Sequence, residues 1–212
     1  MSLDLGTGDG RLPYTLGREA PHRLFIGIDA NAAGLRRYSG RAVRQRLANV
    51  IFVRASLEAL PSELSGVADQ VTVVLPWGSL LAAVARPVAP ALAGIRNLCQ
   101  PGASLSVVLS IAGRDLREAD RLGVPPLDDG HFQDLATGYA AAGFDVTSVS
   151  QLDLDELAAW PSTWARRLAH GRPRTSVRID ARASPLSPSA STARLTSRSG
   201  CPRRARPRRN PG

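Results

Sequence analysis

The sequence contains no lysine; all 27 of its basic residues are arginine. That bias fits a GC-rich coding sequence better than any physical demand. There is no run of about 18 uncharged apolar residues, so no membrane span is expected. Asp4 and Asp9 stand where a signal peptide would need an apolar stretch, so none is expected there. Two cysteines, Cys99 and Cys201, are too few for a disulfide framework and point to a reducing, cytoplasmic setting. His22, His131 and His170 lie far apart without ligand spacing, so no metal is expected. No internal repeat is visible.

What is present suits one domain: 212 residues, of which 43% are hydrophobic, enough for a sizeable core. The net charge of +9 is lopsided. Residues 184–212 hold seven arginines and no acid, whereas residues 1–183 carry 20 arginines against 18 acids. The terminal stretch is Ser, Arg and Pro with almost no large apolar side chain, and reads as disordered. It is either a basic RNA-binding arm or translation in a shifted frame. The sequence therefore divides into a folded domain over 1–183 and a tail over 184–212.

Within the domain, apolar runs alternate with helical patterns. Strands are expected at 24–29, 50–53, 70–75, 105–110, 144–149 and 177–182. Helices are expected at 31–47, at 56–64 capped by Ser56, and over 80–99 with breaks at Pro87 and Pro90. Another covers 132–142, ended by Gly143, and helical turns follow at 154–159 and 164–169. The stretch 113–130 reads as a long loop of mixed charge. This alternation implies a mainly parallel α/β sheet, with ligands at the carboxyl ends of its strands.

The sharpest local motif is Leu3-Asp4-Leu5-Gly6-Thr7-Gly8-Asp9-Gly10. Its spacing is G-x-G-x-G, which does not match the dinucleotide fingerprint. Asp29 follows 19 residues past Gly10, at the end of the next strand, where an acid accepts hydrogen bonds from ribose hydroxyls. A glycine loop followed by a strand-end acid suits an adenosine-containing cofactor. Asp4 and Asp9 would repel a pyrophosphate, but Asp4 can pair with a sulfonium or amino group, which favours S-adenosylmethionine. Ala55 to Glu58 follow the third strand, where an adenine edge would lie; Glu58 by itself reads rather as a solvated helix residue.

Leu75-Pro76-Trp77-Gly78 follows the fourth strand, where a methyl-accepting group would sit. Ser162-Thr163-Trp164-Ala165-Arg166-Arg167 forms a second notable segment. Each tryptophan, taken singly, reads more readily as a core side chain, and Ser162 or Thr163 as a helix cap. Taken in order, LDLGTGDG, GIDAN, ASLEALP, LPWGSLL and STWARRL resemble the aminoglycoside-resistance 16S rRNA (adenine-1408)-N1-methyltransferases over roughly residues 2–180.

The resemblance implies a class I, Rossmann-like methyltransferase with a seven-stranded sheet flanked by helices. By that match Asp4, Gly6, Gly8, Asp29, Ala55, Glu58 and Leu75 line the S-adenosylmethionine site. Trp77 and Trp164 sandwich the target adenine, and Ser162, Thr163, Arg166, Arg167 and Arg172 order the target nucleotide or contact RNA. Arg36, Arg37, Arg41 and Arg44 cluster on one expected helix and read as phosphate contacts or as a solvated face. The expected partner is the small ribosomal subunit, met by a monomer. A methyltransferase of another RNA or a small molecule, or an inactive relative, stays open. Only Met1, Ser2 and Leu3 precede Asp4, so a truncated first strand is expected.

Overall fold

A computed structural model describes residues 1–86, 89–111, 115–170 and 174–185. The strands are β1 (Ser2–Leu5), β2 (Phe25–Asp29), β3 (Val50–Arg54), β4 (Ala68–Val74), β5 (Cys99–Ile111), β6 (Phe144–Leu152) and β7 (Thr175–Ala183). They form one seven-stranded sheet in the order β3-β2-β1-β4-β5-β7-β6. The first five strands in that order run parallel, and β7 runs antiparallel to both β5 and β6.

The helices are α1 (Arg11–Glu19), α2 (Ala32–Arg44), α3 (Gly78–Ala85), α4 (Ala89–Leu98), α5 (Leu116–Arg121), α6 (Asp129–Ala141), α7 (Leu154–Ala159) and α8 (Thr163–Ala169). Local chemistry sets most of their ends. The Asn31 side chain accepts the Ala33 amide at 3.0 Å to start α2, and the Asp128 side chain accepts the His131 amide at 3.0 Å to start α6. Asp153 and Glu156 form a reciprocal capping box on α7. Gly143, at φ +83, ends the α6 segment. The main core lies on one sheet face and includes Val84, Leu92, Ile95, Leu135 and Tyr139 against Val71, Val107 and Ile179. A smaller cluster on Val108 joins Leu12 of α1 to Leu157 and Ala165 of α7 and α8.

Three elements depart from the sequence reading, while the first strand is short, as expected, and well held. All of Ser2–Leu5 is buried and pairs with β2 on one side and β4 on the other, so ladders on both edges hold four residues. The helix expected over 56–64 is two 3-10 turns, Leu57–Ala59 and Ser62–Leu64. Pro61 holds Leu60 extended at ψ 138, which splits the segment, and the Ser56 side chain makes no cap bond. The stretch read as a loop over 113–130 contains α5 and the start of α6. The glycine loop runs directly into α1, a helix the apolar pattern did not announce. The tail reading beyond residue 185 lies outside the described residues. The described chain extends one hydrogen-bonded residue past the expected boundary: the Ser184 amide donates to the Gly143 carbonyl at 2.9 Å, and buried Arg96 donates to the Ser184 carbonyl.

Candidate active site

Because β1 connects leftward to β2 and β4 continues on its right, the chain direction splits beside β1. In a parallel sheet such a switch point opens a crevice at the carboxyl ends of the strands. A cleft of about 500 Å³ lies there, a size typical of small-molecule sites. Its floor is the glycine loop after β1, one wall is the end of β2 and the turn after β3, and the other wall is the segment after β4.

The loop conformation explains its glycines. Gly6, Gly8 and Gly10 have φ values of +68, +62 and +80, in the left-handed region that costs other residues free energy. Asp29 ties this loop to β2. Its Oδ2 accepts the Gly8 amide at 2.8 Å and its Oδ1 accepts the Asn31 amide at 2.8 Å. A carboxylate has about four acceptor positions, so lone pairs remain for hydroxyls in the cleft. The first turn of α2 packs hard against the loop: a β-carbon on Gly34 would stand 2.7 Å from the Gly8 carbonyl oxygen.

Asp4 sits at the back of the cleft and is buried. The Thr72 hydroxyl donates to its Oδ1 at 3.0 Å. Burial pushes its carboxyl up to about 7, against the lowering effect of the Thr7 and Thr72 hydroxyls and with the help of nearby Asp29. A buried carboxyl of this kind gains from a cation placed beside it. Leu75 holds φ +54, a strained value for a branched side chain, at the turn where β4 meets the cleft. Its amide donates to the Val108 carbonyl at 2.8 Å, which holds the turn.

Trp77 and Trp164 are not core residues. They are 50% and 48% exposed, and both line the cleft. They come from different elements: Trp77 precedes α3, and Trp164 lies in the first turn of α8. Trp160, by contrast, packs on the smaller cluster under the Arg178 guanidinium, as a core tryptophan would. Ser162 caps α8, accepting the Ala165 amide at 3.4 Å, and with Thr163 it lines the cleft. The Arg167 guanidinium lies 5.5 Å from the Trp164 ring centroid.

The structure gathers Asp4, Gly6, Gly8, Asp29, Ala55, Leu75, Trp77, Ser162, Thr163 and Trp164 around one cleft. Glu58 is the exception. It is exposed and does not line the cleft; Ser56 and Leu57 do so in its place. Hydrogen bonds from the Ser79 hydroxyl, its own backbone amide and the Ser56 hydroxyl hold its carboxyl below the usual range. Ser56 and Ser79 both line the cleft, so the Glu58 carboxyl is held at its rim. Arg36, Arg37, Arg41, Arg44, Arg166 and Arg167 are all exposed, on α2 and α8. The Arg37 and Arg41 guanidiniums lie over buried Tyr38 at 5.5 and 5.0 Å. Arg172 lies outside the described residues. Sequence reasoning missed Leu12, which lines the cleft from α1, and the bond from the Thr163 hydroxyl to Asp9 Oδ2 at 2.8 Å.

A switch-point cleft with a glycine loop, a strand-end carboxylate and a strand order of 3-2-1-4-5-7-6 defines a class I methyltransferase. The family model for NpmA, 16S rRNA (adenine(1408)-N(1))-methyltransferase, matches residues 1–183. The chain belongs to that family. A relative of that name from Escherichia coli is 34% identical over 188 residues, covering 84% of this chain and 85% of the relative. One from Streptoalloteichus tenebrarius is 36% identical over 186 residues, covering 82% and 83%. Among solved structures, a tryptophan-to-alanine mutant of the Catenulisporales acidiphilia enzyme with cosubstrate SAM aligns with a TM-score of 0.77 at 30% identity, covering 87% of this chain and 86% of that one. The aminoglycoside resistance methyltransferase NpmB1 aligns at 0.70 with 40% identity, covering 86% of each.

Proposed function

We infer that this protein transfers a methyl group from S-adenosylmethionine to N1 of adenine-1408 in 16S rRNA of the small ribosomal subunit, and so gives aminoglycoside resistance. The observation that carries this reading is the pair of half-exposed tryptophans facing one cleft beside the glycine loop and Asp29. S-adenosylmethionine supplies an electrophilic methyl group on a cationic sulfur.

The residues present fit that cosubstrate. Asp29 accepts hydrogen bonds from ribose hydroxyls while its own anchors to Gly8 and Asn31 hold it still. Asp4 offers a buried carboxyl to the cationic end. The segment Ala55 to Leu57 borders the adenine side, with the Glu58 carboxyl held next to it by the Ser79 and Ser56 hydroxyls.

The acceptor needs little chemical help. N1 of adenine carries an in-plane lone pair and no proton, so no general base is required. The task is positioning for an in-line displacement. The base first leaves its stack, at a cost of a few kcal/mol. Trp77 and Trp164 receive it between two ring faces, and stacking returns roughly 1–3 kcal/mol per base. Methylation leaves the base cationic, and the same faces favour that charge as it develops. The exposed arginines of α2 and α8 hold rRNA phosphates, where backbone and shape dominate recognition.

The test is incubation of isolated small subunits with the protein and methyl-labelled S-adenosylmethionine. Label in 16S rRNA is expected; label only in free metabolites or in another RNA would replace this reading.

A further inference from the structure

The Asp9 carboxylate joins three segments that are far apart in the chain. Its Oδ1 accepts the Arg11 amide at 3.2 Å, at the start of α1. Its Oδ2 accepts the Thr163 hydroxyl at 2.8 Å, across 154 positions of sequence. The Arg37 guanidinium of α2 stands 3.6 Å from the same Oδ2. The Asp9 side chain is 20% exposed and that of Arg37 58%, so the contact with Arg37 is long and well screened. The Thr163 bond is short, charge-assisted and partly buried, and is the stronger of the two.

Thr163 directly precedes Trp164, and α8 is seven residues long. A helix of two turns does not hold its own position in water; its tertiary contacts do. The body of α8 packs on α7 through Ala165 and Ala169. Its first turn, which carries Trp164, meets the glycine loop through Thr163 and Asp9. Asp9 also lies in the loop that Asp29 anchors through Gly8.

The geometry points to Asp9 as a positioning residue that sets the Trp164-bearing turn against the cosubstrate loop through the Thr163 hydroxyl. This rests on the function proposed above. In-line transfer tolerates little slack between donor and acceptor, and a misplacement of about 1 Å costs on the order of 100-fold in rate. Fixing one of the two rings to the loop that carries the donor places both reactants in one frame.

The experiment is a double-variant cycle with Asp9→Ala, Thr163→Val, the combination, and Thr163→Ser. Two quantities are read: amide hydrogen exchange over 162–169 in the free protein, and kcat for methylation of small subunits at saturating S-adenosylmethionine. Each single variant is expected to speed exchange in the first turn of α8. Each lowers kcat about tenfold, as loss of one charge-assisted hydrogen bond does, with a smaller change in KM for subunits. The combination is no worse than either single variant, and Thr163→Ser, which keeps the hydroxyl, recovers most of the loss. Unchanged exchange in Asp9→Ala, additive losses in the combination, or a Thr163→Ser variant as impaired as Thr163→Val would each overturn the proposal. If the unaltered protein methylates no subunits, the proposed function fails, and the exchange cycle still decides whether Asp9 and Thr163 act as one unit.

Discussion

Asp4 gives the protein a pH dependence that can be worked through from its surroundings. Its carboxyl ionises near 3.8 in an unfolded chain and near 7 when folded, because burial penalises the charge. Between those values the folded state holds a proton that the unfolded state does not. Stability therefore falls as pH rises across that window and levels off above about 7. Each pH unit inside the window is worth about 1.4 kcal/mol, so the loss between about pH 5 and about pH 8 is roughly 3 kcal/mol. Asp4→Asn keeps the shape and removes the titration. The assay is urea unfolding of both proteins from pH 5 to pH 8, reading the difference between them so that other titrating groups cancel. The native protein should lose roughly 3 kcal/mol relative to Asp4→Asn as pH rises. A difference that stays constant with pH would show that burial of Asp4 does not have this effect. The sign reverses for the ligand: a cationic cosubstrate favours the ionised carboxylate, so its affinity should rise with pH toward about 7 in the native protein and stay flat in Asp4→Asn.

Gly34→Ala should weaken S-adenosylmethionine binding at least about tenfold by calorimetry, although alanine ordinarily favours a helix by about 1 kcal/mol. The new β-carbon would lie 2.7 Å from the Gly8 carbonyl oxygen, and moving that loop disturbs its bond to Asp29. Trp77→Ala and Trp164→Ala should each cut subunit methylation about 10- to 100-fold, the equivalent of one lost stacking partner, with cosubstrate affinity changed less than about threefold. Removal of residues 186–212 should leave both the melting temperature and subunit methylation unchanged, because among the described residues β7 and the bonds of Ser184 already close the domain. A marked loss of methylation on truncation would assign the arginine-rich tail a part in binding rRNA.

The parts of the site that were legible in the sequence are those set by local chemistry. Three glycines in five positions announce left-handed backbone, and an acid at the next strand end announces a carboxylate in the cleft. Alternating apolar runs placed five of the strands within a few residues of where they lie, and found β5 but began it six residues late. That both tryptophans line one cleft was not local information. It came from the resemblance of ordered motifs, since each ring read alone suits a core. The helix expected over 56–64 was misread because Pro61 splits the segment into two 3-10 turns, which leaves Glu58 exposed beside the cleft. The first strand is as short as its sequence implies, but composition does not show that both of its edges are paired. The bond between Asp9 and Thr163 was illegible because only the closed sheet brings those positions together.

The most direct measurement is reverse transcription across helix-forming 16S rRNA from small subunits treated with the protein and S-adenosylmethionine. Methylation at N1 blocks the Watson–Crick edge of adenine and stops the enzyme at that base. The account predicts one new stop at adenine-1408, present with the native protein and nearly abolished when Trp77 and Trp164 are both replaced by alanine. A stop elsewhere, no stop with a cosubstrate-bound native protein, or a stop unaffected by loss of both tryptophans would contradict it.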